Sequence, residues 1–87
     1  MKVLQYRIEE NGLTKMPKGE ILLVGCSHGP CVWVLADENA PLVDRDIRSF
    51  ATGEEVVPNG WYRGSYKTVE VGYAPVTYFV YEWMVNP

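Results

Sequence analysis

Apolar and polar side chains alternate along most of this chain, with a period of two. Tyr6-Arg7-Ile8, Trp61-Tyr62-Arg63-Gly64-Ser65-Tyr66 and Val76-Thr77-Tyr78-Phe79-Val80-Tyr81 all read this way. Val, Ile, Tyr, Phe, Trp and Thr suit a pleated, half-buried surface, and turn residues separate the runs. No long segment repeats with the helical period, so the pattern predicts an all-β domain.

The pattern places a first strand at about Val3 to Ile8, with Leu4, Tyr6 and Ile8 on one face. Asn11-Gly12 is a turn signal, Leu13 to Met16 a short return strand, and Pro17-Lys18-Gly19 its stop. Glu20 to Cys26 and Cys31 to Ala36 form a hairpin around Ser27-His28-Gly29-Pro30, apolar on both faces of both strands. That two-sided character predicts a covered, central position, with Trp33 as a core anchor whose loss to Ala costs about 3–5 kcal/mol. Asp37 to Leu42 is a polar excursion able to close as one helical turn. Asp44 to Phe50, Trp61 to Thr68 and Val76 to Met84 complete the strands; Val69 to Tyr73 extends the second of these or pairs beyond a bulge, and Ala74-Pro75 breaks the chain.

These elements predict one domain over residues 1–87, with 85–87 a frayed tail. Its expected form is a small meander of six or seven antiparallel strands curled into a barrel or sandwich, which hides strand edges. With 87 residues the chain holds a single modest core, and its 47% apolar and 22% charged composition is that of a folded domain. The net charge of −3 argues against nucleic acid, which requires a concentrated cationic face. No apolar run suits a signal peptide or a membrane span, so the expected location is cytoplasmic, with reduced thiols.

Chemistry-bearing residues are few. Cys26, His28 and Cys31 surround one hairpin loop, yet three ligands fall short of the four that zinc prefers, and the chain has no other Cys or His. The expectation is no metal and no cofactor. The two thiols either pair across the hairpin, which needs Cα atoms about 4.4–6.8 Å apart, or stay free as small half-buried residues. A cysteine nucleophile would need His28 oriented by a third group, and a tight loop offers none. Glu9-Glu10 and Glu54-Glu55 sit at turns as solvated carboxylates, and no phosphate-binding glycine loop or HExxH pattern occurs. An enzyme is therefore not expected.

Two features remain. Asp44-Arg45-Asp46-Ile47-Arg48 alternates charge along a strand; it is either a solvated face with weak ion pairs or a strip that grips a phosphate or a partner. Trp61, Tyr62, Tyr66, Tyr73, Tyr78, Tyr81 and Trp83 exceed what a small core absorbs, so some belong in the core and the rest at an interface. The expected binding surface joins Arg45 and Arg48 with Trp61, Tyr62, Arg63, Tyr66, Tyr78 and Tyr81.

Several stretches also resemble a family of short bacteriophage- and prophage-encoded proteins of unknown function. They are Met16-Pro17-Lys18-Gly19-Glu20-Ile21-Leu22, Pro30-Cys31-Val32-Trp33-Val34-Leu35-Ala36-Asp37, the run from Ala40 to Gly53, Tyr62-Arg63-Gly64-Ser65 and Val80-Tyr81-Glu82-Trp83. They cover most of the chain, in order. The resemblance implies a phage accessory protein in the host cytoplasm; it supplies no catalytic residues, and Cys26 and His28 lie outside it. With the missing chemistry and the surplus rings, it leads to a viral protein that binds a host or phage protein, modulating a host process or inhibiting antiviral defence. The alternatives are a protein that sequesters a small phosphate-bearing ligand such as a nucleotide signal, using Arg45, Arg48 and ring stacking between subunits of a homo-oligomer, and a minor virion component.

Overall fold

A computed structural model describes residues 1–10, 12–69, 72 and 74–85. The parts of the expected turn at Asn11, of the continuation through Glu70, Val71 and Tyr73, and of the tail at Asn86 and Pro87 lie outside the described residues. Seven strands are present: β1 (Lys2–Arg7), β2 (Thr14–Pro17), β3 (Glu20–Cys26), β4 (Pro30–Ala36), β5 (Leu42–Ala51), β6 (Trp61–Thr68) and β7 (Val76–Trp83). Their positions follow the alternation in the sequence closely, and among the described residues there is no helix. The excursion after β4 is a turn, in which the Ala40 amide donates to the Asp37 carbonyl at 3.0 Å.

All strand pairs are antiparallel and form two sheets, ordered β1-β4-β3 and β2-β5-β7-β6. The two sheets pack as a sandwich; they do not close into a barrel. Of the pairings, β3–β4 and β6–β7 join consecutive strands, while β1–β4, β2–β5 and β5–β7 are non-local.

The core lies between the sheets and is aliphatic. Val32, Val34 and Ala36 point inward from β4, Met16 from β2, Ile47 from β5, Val80 from β7 and Val24 from β3, with Ile8 closing one end. Leu4, Tyr6, Ile21 and Tyr66 pack around them. No aromatic ring is fully buried among the described residues.

Here the expected hairpin core needs correction. β4 is the central strand of its sheet, as its two apolar faces suggest, but β3 lies at an edge. Trp33 is half-buried on the outer face, not in the core, because Val32 and Val34 on either side of it take the inward positions. Strand alternation allows only one of the two sets inside. In β3 the pairing register shifts between Ile21 and Leu23. That bulge inserts one residue, so Ile21 and Val24 both reach inward while Leu22 and Leu23 stay exposed.

A second bulge lies between Tyr62 and Gly64 in β6. β3 and β6 face each other across the sandwich, and Val24 packs directly against Gly64. Gly64 has φ 146°, and a Cβ there would sit 2.8 Å from Val24 Cγ2. Only glycine meets both requirements.

β5 and β6 both run antiparallel to β7, so they are parallel to each other, and residues 52–60 must cross β7 to join them. The crossing passes over the outer face. At its start the Thr52 amide and hydroxyl both donate to the Thr77 carbonyl, at 3.1 and 3.2 Å. At its end Trp83 Nε1 donates to the Pro58 carbonyl at 3.1 Å, and Gly60 lies so close to the indole that a Cβ would be 2.7 Å from it.

Gly64→Ala is expected to destabilise the fold by about 1–3 kcal/mol through overpacking and strain. In a Val24→Ala background the cost should shrink, because the methyl it meets is gone. Thermal or urea unfolding of the four proteins measures this, and equal costs in both backgrounds would place the penalty in the backbone alone. Met16→Ala is expected to cost about 2–5 kcal/mol as a buried truncation, and Trp33→Ala less than Met16→Ala.

Candidate functional site

β5 turns alternate side chains to opposite sides of its sheet. Arg45, Ile47 and Ser49 face the core side; Asp46, Arg48 and Phe50 face outward. Arg45 and Arg48 are three residues apart, so a strand cannot place them on one surface. The expectation that they form a joint strip is corrected on that ground.

Arg45 is buried, with 9% of its surface exposed, and Glu82 on β7 with 7%. The two meet fork to fork: Arg45 Nε to Glu82 Oε2 at 2.7 Å and Arg45 Nη2 to Oε1 at 2.8 Å. Arg45 Nη1 donates to the carbonyls of Pro17 at 3.2 Å and Gly19 at 3.0 Å. Arg63, swung inward beside the β6 bulge, adds a second cation on Glu82 Oε1 at 2.9–3.0 Å and lies 5.8 Å from the centre of the Trp61 ring. Burial pushes the Glu82 carboxyl pKa up, but the hydrogen bonds and charges of Arg45 and then Arg63 outweigh it and hold the group below its usual range. Each nitrogen of Arg45 is engaged, in four hydrogen bonds, so this arrangement clamps the sheet; the guanidinium still borders a hollow of about 300 Å³ with Lys18, Trp61 and Arg63. The sequence reading did not single out Glu82. Its only signal there is its phase with Val80 in an otherwise apolar and aromatic strand.

Tyr66 and Tyr78 also face inward, stacked at 5.3 Å with 13° between their planes, and the Tyr66 hydroxyl shares a 2.8 Å hydrogen bond with Ser49. Burial raises the Tyr66 pKa, the Ser49 hydrogen bond acting against it. The pair walls a cleft of about 770 Å³ where the sheets part, which also receives Glu9, Glu10 and Glu54. Arg48 also borders this cleft, paired with Asp46, and three carboxylates against this one cation leave the lining acidic on balance. Such a lining repels a phosphate-bearing ligand.

The outer face of β5, β7 and β6 brings together three of the expected residues, Arg48, Tyr62 and Tyr81, and adds Asp46, Phe50, Phe79 and Trp83. Asp46 holds Arg48 through two 2.9 Å bonds, and the guanidinium lies 4.9 Å from the centre of the Trp83 ring. Phe50 meets Trp83 edge-on at 5.8 Å and Tyr81 at 6.2 Å; Tyr62 meets Tyr81 at 5.5 Å. Tyr62 remains 55% exposed, while the other rings are half-buried beside the 52–60 crossing. Trp61 is exposed at the start of β6, level with Glu82 and on that residue's side of the sheet. Phe50 and Phe79 were legible by counting in twos from Arg48 and Tyr81.

The cysteine hairpin holds no converging ligands. Cys26 is exposed and Cys31 buried, both as free thiols. Cys31 Sγ donates to the Gly29 carbonyl at 3.3 Å under the loop, where His28 has φ 56°. Among the described residues no group of three or more His, Cys, Asp or Glu side chains is placed to hold a metal ion, and no helix is long and apolar enough to cross a membrane.

No family model matches this chain, and no curated protein or solved structure shows a significant match to it.

Glu82→Gln is expected to destabilise the protein by about 3–5 kcal/mol near neutral pH, because it leaves buried Arg45 without its counter-charge. The folded-state pKa of Glu82 is depressed, so its contribution is present above the unfolded-state value and is lost as pH falls through the folded-state value. The gap in stability between wild type and variant should therefore narrow toward acid pH. Denaturant unfolding across pH 2–7 reads both effects, and a gap independent of pH would remove ionised Glu82 from the account.

Proposed function

We propose that this protein acts by binding another protein through the outer face of β5, β7 and β6. The observation that carries this reading is the ordered guanidinium of Arg48, fixed by Asp46 and laid over Trp83, on the same face as the exposed ring of Tyr62 with Tyr81 between them. Arginine and aromatic side chains dominate binding energy when water is excluded around them. Here they are already held in place, which lowers the entropy lost on binding. Arg48 Nη1 has no hydrogen-bond partner within the described residues and is free to donate to one. The rings are broad and non-polar, and the half-covered patch has a polar rim, which suits a protein surface better than a small molecule.

The resemblance to short phage proteins supports the finer reading: a viral accessory protein that modulates a host process or blocks antiviral defence from within the host cytoplasm. The acidic inner cleft and the pairing of Arg45 with Glu82 weigh against sequestration of a nucleotide signal.

The test is affinity capture from infected cells with tagged wild type, Arg48→Glu and Tyr62→Ala. Wild type is expected to retain a defined partner at stoichiometric yield, and both variants to lose it by at least tenfold. Their melting temperatures should fall by no more than about 8 °C, the equivalent of roughly 1 kcal/mol in a domain of this size. Variants that stay folded and keep full capture would move the binding surface elsewhere.

A further inference from the structure

The outer face of the β1-β4-β3 sheet is a second apolar surface, on the opposite side of the sandwich from Arg48. Leu23 is 58% exposed, Val3 55% and Leu22 46%, and between them lie the half-buried Trp33 and Leu35. The pairing makes them contiguous: Val3, Leu35 and Glu20 form one row across the sheet, and Gln5, Trp33 and Leu23 the next. The bulge in β3 enlarges the patch by keeping both leucines outward. Three large apolar side chains left about half exposed side by side favour contact with another surface.

The charges around the patch indicate its occupant. Arg7 ends β1 in the row of Cys31 and Gly25, while Glu20 begins β3 in the row of Val3. They stand at diagonally opposite corners, both exposed, and neither forms an ion pair among the described residues. A surface with opposite charges at opposite corners is complementary to itself. A two-fold axis in the plane of contact, running across that diagonal, sets Arg7 of each copy over Glu20 of the other. It also brings the two Trp33 side chains together near the axis.

We propose that this face is the interface of a symmetric homodimer. The contact is isologous, so it closes at two copies. Its footprint is small: three strands about 4.8 Å apart and roughly 3.3 Å per residue along each span a few hundred Å² per copy. That lies at the low end of specific interfaces, so the dimer should be weak, with a dissociation constant of about 10–100 μM. The proposal is independent of the Arg48 face, which stays open in the dimer.

Sedimentation equilibrium between about 5 and 500 μM, a range set to bracket that affinity, tests the proposal on the whole chain. Wild type should pass from monomer to dimer. Arg7→Glu and Glu20→Arg alone should each weaken association by tenfold or more, since each places like charges face to face twice. The double variant Arg7→Glu with Glu20→Arg should restore it. Leu23→Lys should give a monomer that melts close to wild type, because Leu23 lies outside the core, and it should keep the partner captured through Arg48. A wild type that stays monomeric at every concentration, a dimer indifferent to the single charge reversals, or a double variant no better than the singles would each overturn the proposal.

Discussion

The four-stranded sheet depends on one buried ion pair. Arg45 reaches Glu82 on β7 and the carbonyls of Pro17 and Gly19 at the end of β2 and in the turn beyond it, and Glu82 in turn receives Arg63 from β6. A single guanidinium and a single carboxylate therefore tie together four strands and the turn that sends the chain to the other sheet. The apolar alternative at these positions would avoid desolvating charge, and a buried pair often adds little net stability. What this pair supplies is direction. A fork-shaped donor meets a two-oxygen acceptor in one orientation, so β2, β5 and β7 have one register relative to one another, whereas methyl groups tolerate sliding. β2 is only four residues long, and its few ladder bonds alone would specify its position weakly.

The two bulges solve a related problem of phase. A strand of period two offers every second residue to the core, but Ile21 and Val24 in β3 are three apart, as are Trp61 and Gly64 in β6, which pair with inward-facing Glu82 and Val80. One extra residue in each strand lets both members of the pair turn the same way. The bulged strands lie opposite each other, where Gly64 accepts the Val24 side chain against its backbone. The same insertions expose Leu22 and Leu23 on one outer face and aim Arg63 at Glu82 on the inside. Core packing and surface chemistry are thus set by the same local irregularities.

This explains what could be read from the sequence. Strand positions, the β3–β4 hairpin and the all-β class follow from local alternation and turn residues, which are physical properties of short segments; the choice of a sandwich over a barrel does not. The roles of Trp33 and Arg45 do not. A strand apolar on both faces, such as 31–36, states that neither side is fully wetted without saying which is core, and the smaller valines proved to fit between the sheets. Arg45 could have been separated from Arg48 by parity alone, yet nothing near it points to Glu82, 37 residues away. The crossing of 52–60 over β7 follows from the parallel relation of β5 and β6, a non-local fact with no short signature.

The placement of the aromatic rings is the last consequence. An aliphatic core between two thin sheets has room for valine, isoleucine and methionine, and the rings are left to the periphery. On the β5-β7-β6 side they cover one another and receive the chain's own 52–60 segment, so that much of their area is already withdrawn from water and Arg48 and Tyr62 form the accessible rim. On the β1-β4-β3 side no segment among the described residues crosses the sheet, and Val3, Leu22 and Leu23 remain exposed. Apolar area left in water lends nothing to the core and favours association. A slab with one strapped aromatic face and one bare aliphatic face therefore has two unequal contact surfaces: the first offers a few oriented groups to a partner, the second a continuous area that its own corner charges can align.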